Sequence, residues 1–341
     1  VIVLHLSQRY HKNLFIPDGV GLFFVLSGYL ITFLLLRERE SKGRVSLSRF
    51  WIRRAFRILP PMYAYVLFVV IYAKFVAISL SWRSVLASAL FLQNMSPYPG
   101  SALLEHTWSL AVEEQFYIVW PVLMVCSYKF CGRRGATFAA LGMIVCAPLF
   151  RVVFGAMHSS YLHHHVFGFM PSRMDSLGVG CFLALAQGTG FFENMYAKVS
   201  SFWWVAALGF LIGTPLLVSK SPQFYHAFGL SLDAVLMGLF ILWSARNPES
   251  IVGRFLNNGL IAEIGVLSYS IYLWQTFFIH TGTGVRYLNE MPLGLLGIAI
   301  AALLSRQFVE KPFFVLRDKV LAMRRFARTV EPGEGVLRSS G

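Results

Sequence analysis

Gly19-Val20-Gly21-Leu22-Phe23-Phe24-Val25-Leu26-Ser27-Gly28-Tyr29-Leu30-Ile31-Thr32-Phe33-Leu34-Leu35-Leu36 carries no charged side chain and ends abruptly at Arg37-Glu38-Arg39-Glu40. Wound as a helix, a stretch of about 20 apolar residues spans the hydrocarbon core of a bilayer, so this segment reads as a transmembrane helix. The same pattern recurs on both sides of it. Upstream, Val1-Ile2-Val3-Leu4-His5-Leu6 reads as the end of an apolar span that starts before Val1. Downstream, further spans are expected at residues 59–80, 108–128, 136–154, 170–186, 202–218, 227–243, 264–281 and 293–316, while 84–92 is too short to cross and reads as re-entrant or interfacial. Counting the first remnant, that makes about ten crossings. No strand-like alternation of the kind an outer-membrane barrel needs is present. The expected fold class is therefore an all-α polytopic membrane protein, a single bundle over residues 1–316, followed at 317–341 by a basic and then disordered cytoplasmic tail.

Composition agrees. Charged residues make up 13% of the 341-residue chain and hydrophobic ones 56%, too little charge to cover a water-exposed surface. The net charge of +14 comes largely from clusters beside apolar spans, at residues 37–57 and 317–338, where basic residues mark the cytoplasmic side of a membrane protein. That reading places Lys129, Arg133, Arg134, Lys198, Arg246 and Arg254 on the same side, puts the loop at residues 155–169 outside, and argues against nucleic acid as a partner. The plasma (inner) membrane is the expected location, with the C-terminus cytoplasmic. Cys126, Cys131, Cys146 and Cys181 show no metal-binding spacing and read as packing residues.

Several segments could carry chemistry. In Phe50-Trp51-Ile52-Arg53-Arg54-Ala55-Phe56-Arg57, helical spacing puts Arg54 and Arg57 on one face and Arg53 four residues before Arg57, so two or three guanidinium groups could converge on an anion. The alternative is an interfacial anchor whose arginines snorkel to lipid headgroups. In Trp108-Ser109-Leu110-Ala111-Val112-Glu113-Glu114-Gln115-Phe116-Tyr117, adjacent carboxylates open a span, with Glu113, Tyr117 and Trp120 aligned along it. A carboxylate in a membrane helix is expensive, so Glu113 should face a polar cavity or a cation, while Glu114 reads equally well as an N-terminal charge suited to the helix dipole. Arg173 and Asp175, two apart, cannot face each other on a helix, and each should pair with a different element, either structurally or in a substrate pocket. Asp233 and Glu263 read as structural. His5 is either a hydrogen-bonded structural histidine or a proton carrier. His163-His164-His165 suits a wet loop better than a metal site, and no phosphate-binding glycine loop, serine-nucleophile elbow or metalloprotease motif occurs.

Taken in order, these segments resemble the acyltransferase-3 family of integral-membrane O-acyltransferases. The resemblance rests on residues 19–32, the 50–60 arginine segment, Trp108-Ser109-Leu110 with Glu113-Glu114-Gln115-Phe116-Tyr117, Arg173-Met174-Asp175, Ser268-Tyr269-Ser270-Ile271-Tyr272-Leu273-Trp274 and Val309-Glu310-Lys311-Pro312. It implies transfer of an acyl group, commonly acetyl, from cytoplasmic acyl-CoA to a hydroxyl of a carbohydrate or glycolipid acceptor. Acyl-CoA would be a co-substrate, with no tightly bound cofactor and no metal. In the roles so implied, His5 is general base or transient acyl carrier and Glu113 its charge partner. Arg54 and Arg57, with Arg53, take the donor's phosphates, and Arg173, Asp175, Tyr117 and Tyr272 shape the acceptor pocket or hold helices together. The family's basic residue about ten positions before the histidine would precede Val1, and Gln275 stands where the family usually has His. A secondary transporter or lipid flippase, or a non-catalytic scaffold, is the competing class; the lack of an internal repeat speaks against transport.

Overall fold

The computed structural model describes residues 18–95, 101–156, 168–279 and 292–330, with side chains through Arg324. Among these residues the chain is helical throughout, with no strand. The decisive stretch forms α1 (Gly19–Lys42). Asp18 starts it by accepting the backbone N–H groups of Val20 and Gly21 at 3.2 and 3.0 Å, and Gly43 ends it in the left-handed region at φ +69°. α2 (Leu47–Phe75) begins in the arginine segment and carries Pro60 and Pro61 inside it. The short apolar stretch becomes the eight-residue α3 (Trp82–Ala89).

Among the described residues, six helical runs are long and apolar enough to cross a membrane by length and composition: Gly19–Lys42, Leu47–Phe75, Glu105–Gly155, Gly190–Lys220, Pro222–Arg246 and Leu293–Arg324. The protein is thus a multi-pass membrane protein, and the difference from about ten crossings has identifiable origins. The first expected span lies outside the described residues. Those at 108–128 and 136–154 share one run, α4 (Trp108–Ala156), broken at Gly132, where φ +61° and ψ −153° lie outside helical geometry. α5 (Met170–Ala186) has 17 residues and carries Arg173 and Asp175. The run at 264–281 becomes α9 (Gly259–Ile279), diluted by Glu263 and Gln275. Between them lie α6 (Gly190–Lys220), α7 (Pro222–Arg246) and the short α8 (Ile251–Leu256).

α5 is the centre of the bundle, packed against α1, α4 and α7. A helix buried on all sides must be apolar or small all round, and Leu177, Gly178, Val179, Gly180, Cys181, Leu183 and Ala184 are all buried. Two glycines set its approach to α1. A Cβ on Gly28 would lie 2.0 Å from the Leu177 carbonyl oxygen, and one on Gly180 would lie 2.1 Å from the Val25 carbonyl oxygen. The two backbones therefore touch with no side chain between them, as small residues allow in membrane helices. Cys181 is buried at this seam, but Cys126, Cys131 and Cys146 are exposed, so the packing role expected of all four holds for Cys181 alone; the others sit on outward-facing parts of α4.

The buried charges near the start of α5 are paired, each with a different element. Arg173 donates to Asp18, which thereby caps α1 and anchors α5 with the same carboxylate. Asp175 accepts from Arg151 of α4 at 2.9 Å and from Ser231 of α7 at 2.6 Å. Arg151 also donates to the carbonyls of Ser172 and Ala227, so its guanidinium is well satisfied although its side chain is almost completely buried.

The chain closes with α10 (Leu293–Leu304), a π-helical turn at Ser305–Glu310, and α11 (Lys311–Val330), which continue one another. Ser270 of α9 donates to Glu310 at 2.6 Å and lies 3.1 Å from the Ser305 hydroxyl, which ties the widened turn to the bundle. The expected boundary at 316 falls inside α11, whose helix extends through residues read from sequence as the start of a tail; residues 331–341 lie outside the described residues.

Candidate active site

α1, α2, α4 and α9 enclose a cavity of about 350 Å³. α1 contributes Phe23, Leu26, Ser27 and Leu30; α2 contributes Arg54, Arg57 and Ile58; α4 contributes Ser109, Glu113, Glu114 and Tyr117; α9 contributes Ser268, Tyr269 and Tyr272. Most of that wall is apolar, with a few polar groups converging on one space.

The Glu113 carboxylate sits in a ring of hydroxyls. Ser27 Oγ donates to Glu113 Oε1 at 3.1 Å, Tyr117 OH donates to Glu113 Oε2 at 3.1 Å, and the two hydroxyls lie 2.9 Å apart. Helical geometry explains half of this arrangement, since Glu113 and Tyr117 are four residues apart and share a face. Ser27 comes from α1, held in place because Gly28 lets that helix lie directly on α5.

The arginines approach from α2. The Arg54 guanidinium carbon stands 4.9 Å from the centre of the Tyr117 ring and 5.9 Å from that of Phe50, and its charge acts on both Glu113 and Glu114. Arg57 shares the cavity wall with it. Arg53 does not converge with them: its guanidinium turns to Glu38 of α1, 3.7 Å away. Trp51 fixes this part of α2 by donating its indole N–H to the Tyr117 carbonyl at 3.0 Å.

The α9 wall is set by its own hydrogen bonds. Tyr272 OH is in short contact with Ser109 Oγ and donates to the His106 carbonyl at 2.8 Å, and Tyr269 OH donates to the Ile58 carbonyl at 2.9 Å. Gln115 of the same acidic segment points away from the cavity, to Asn94 and the Phe91 carbonyl. Trp120 likewise turns into the core and donates to Thr32 at 2.9 Å.

Of the residues singled out from sequence, the fold thus brings Arg54, Arg57, Glu113, Tyr117 and Tyr272 to one cavity, and leaves Arg53, Arg173 and Asp175 outside its wall. His5 and His163-His164-His165 lie outside the described residues. Among the described residues no group of His, Cys, Asp and Glu is arranged to hold a metal ion.

The family model for the acyltransferase domain of the acyltransferase-3 family matches residues 1–305. The chain belongs to the acyltransferase-3 family. It is similar to the peptidoglycan O-acetyltransferase OatA of Listeria monocytogenes, 29% identical over 338 residues that cover 92% of this chain and 53% of that protein. It is also similar to the O-acetyltransferase OatA of Staphylococcus aureus, 28% identical over 359 residues, covering 97% of this chain and 58% of that protein. The chain thus spans little more than half the length of these relatives. No solved structure matches it.

In this acyltransferase-3 member, sequence reasoning passed over Ser27, Ser109, Tyr269 and Glu114 as parts of the site. Ser27 and Ser109 are common residues in apolar helices, and only the meeting of α1, α4 and α9 gives them a shared purpose. Glu114 was readable as a dipole-compensating charge, yet it lines the same cavity as Glu113. Arg151 offered no signal, because a lone arginine near the end of a span looks like a flanking charge.

Proposed function

We propose that the chain transfers an acyl group, acetyl by preference, from acyl-CoA on the cytoplasmic side of the plasma (inner) membrane to a hydroxyl of a carbohydrate or glycolipid acceptor, such as an envelope glycan. The observation that carries this reading is the shared cavity: cations suited to phosphate and a buried carboxylate suited to proton handling open onto the same space. Arg54 and Arg57 offer planar forks for the donor's phosphates. A cavity of about 350 Å³ has room for an acyl-thioester arm.

An alcohol is a weak nucleophile until its proton leaves. In the proposed reaction His5 accepts the proton of the acceptor hydroxyl, the oxygen attacks the thioester carbon, and the C–S bond breaks to release CoA. Whether the acyl group passes directly or through the imidazole, the histidine becomes cationic, and Glu113 stabilises that charge. Ser27 and Tyr117 hold the carboxylate in one orientation, and the Arg54 guanidinium over the Tyr117 ring brings a positive charge near it. Tyr272 and Ser109 line the wall nearest the acceptor. The OatA names of the relatives support acetyl as the group and a glycan as the acceptor class.

The test uses membranes containing the protein, radiolabelled acetyl-CoA and soluble glycan fragments. Labelled glycan should accumulate, and Glu113→Gln, which keeps shape and hydrogen bonding, should lower turnover by about 100-fold or more with little change in donor affinity. Arg54→Ala should instead weaken donor affinity by about ten- to a hundredfold. Near-normal turnover in Glu113→Gln, or movement of unmodified glycan across the membrane in place of labelling, refutes the reading.

A further inference from the structure

The cations of α2 do not end at the cavity. Arg57, Arg53 and Arg49 follow one another at four-residue intervals, each step about 6 Å along the axis, so they form a stripe of about 12 Å leading from the cavity wall to the first turn of the helix. At its outer end Arg49 and Arg53 stand 3.5 and 3.7 Å from the Glu38 carboxylate, with Lys42 at 3.6 Å. These are charge contacts without hydrogen bonds: both Glu38 oxygens are buried and have no hydrogen-bond partner among the described residues. The Arg53 side chain is 40% exposed and that of Glu38 8%, so the carboxylate lies beneath and the guanidinium stays open to an incoming ligand.

α11 completes the rim. It runs antiparallel to the first turns of α2, with Phe313 against Phe56 at 6.4 Å, Arg317 near enough to Arg53 to repel it, and Arg324 donating to Ser48 at 3.0 Å. Lys42, Arg49, Arg53, Arg317 and Arg324 together outnumber Glu38 and Asp318, the acids that contact them. Cations gathered at one end of a bundle in excess of the acids that contact them form a site for a multiply charged anion.

We propose that this rim is a second anion subsite, built by Arg49, Arg53, Arg317 and Arg324, which holds the phosphate monoester at the nucleotide end of the acyl donor while Arg54 and Arg57 hold the phosphates nearer the thioester. The inference rests on the donor reading given above and adds to it the last helix, which has no part in the cavity. The length of the stripe matches the need: a donor whose acyl arm fills the cavity carries its nucleotide outside. A phosphate-bearing anionic lipid headgroup offers the same chemistry, so the experiment separates the two sources.

The test measures binding of CoA, of dephospho-CoA, which lacks the monoester, and of 4′-phosphopantetheine, which lacks the nucleotide. The protein is held in nanodiscs of phosphatidylcholine, with and without phosphatidylglycerol. The wild-type protein should prefer CoA to dephospho-CoA by about tenfold or more. Arg49→Ala and Arg317→Gln should each reduce that preference to under about threefold while 4′-phosphopantetheine affinity stays unchanged, which also certifies the fold of the variants. Arg54→Ala should weaken all three ligands together. Equal wild-type affinity for CoA and dephospho-CoA, or loss of all three ligands alike in Arg49→Ala and Arg317→Gln, overturns the rim subsite and leaves the donor reading intact. A CoA preference abolished by phosphatidylglycerol assigns the rim to lipid and equally overturns it. Wild-type protein that binds none of the three removes the donor reading and this inference with it.

Discussion

Asp175 lies on a segment shared with the family, yet the structure gives it a partner rather than a substrate, and that distinction can be measured. Arg151→Met removes the cation from a site where its side chain is almost fully buried, breaking the contact to Asp175 at 2.9 Å, that to Ser231 at 2.7 Å and those to two carbonyls. Breaking a buried pair from one side costs about 3–5 kcal/mol. Asp175 keeps Ser231 at 2.6 Å and the backbone N–H of Ser176 at 2.8 Å, so the loss should fall at the lower end, about 3 kcal/mol. Asp175→Asn leaves Arg151 its carbonyls and Ser231 and still offers it an oxygen, so it should cost about 2 kcal/mol. The double variant should lose about 3 kcal/mol rather than the sum of about 5, a coupling of about 2 kcal/mol. Reversible unfolding in mixed micelles, followed by tryptophan fluorescence, reads these differences, and turnover is scored per folded molecule. Additive losses would show that the two side chains do not act as a pair. Full stability with lost turnover in Asp175→Asn would return Asp175 to the acceptor pocket and refute the structural assignment.

Two further outcomes follow from packing and charge. Gly28→Ala forces its new carbon against the Leu177 carbonyl, at 2.0 Å before relaxation, so α1 and α5 must separate; stability should fall by about 1–3 kcal/mol, whereas Gly142→Ala, in a helical position with open space around it, should be neutral or slightly stabilising. Equal melting temperatures for the two variants would refute the close crossing. With the exposed Cys126, Cys131 and Cys146 replaced by serine, Lys42→Cys, whose parent side chain is 51% exposed, should react with an impermeant maleimide only after cells are permeabilised; labelling of intact cells would invert the expected orientation.

How much of this was legible depends on which physical effect each residue obeys. α1 was readable because a long apolar stretch has one cheap environment, and Glu113 because a carboxylate within such a stretch demands a compensating partner. Spacing also joined Glu113 to Tyr117 and Arg54 to Arg57, since neighbours on one helix follow a fixed period. It could not tell Arg53 from Arg54. Adjacent residues on α2 point about 100° apart, and which faces the cavity depends on where Glu38 of α1 lies. The crossing count is where length and hydropathy alone run out: the kink at Gly132 joins two expected spans into one helical run, and along α9 polar residues such as Glu263 and Gln275 dilute a helix that is otherwise long enough to cross. Arg151, Ser27 and Ser109 act only through contacts between distant parts of the chain, and no local pattern announces them.

The seam at Gly28 and Gly180 also bears on how such a protein can diversify. Where two backbones touch, there are no rotamers to exchange and no volume to trade, so nearly every mutation at those positions is closed to drift by sterics alone. Ser27, one residue from that contact, inherits its fixity, and so does the carboxylate it holds. The opposite wall is made of side chains: Ile58, Tyr269 and Tyr272 project into the cavity from α2 and α9, where a substitution changes the wall without moving a backbone. The shape of the cavity is therefore freer to change from the Ile58, Tyr269 and Tyr272 side than from Ser27 and Glu113. A selection experiment that reshaped the cavity would accumulate its changes on one side, making the molecule's evolvability as asymmetric as its packing.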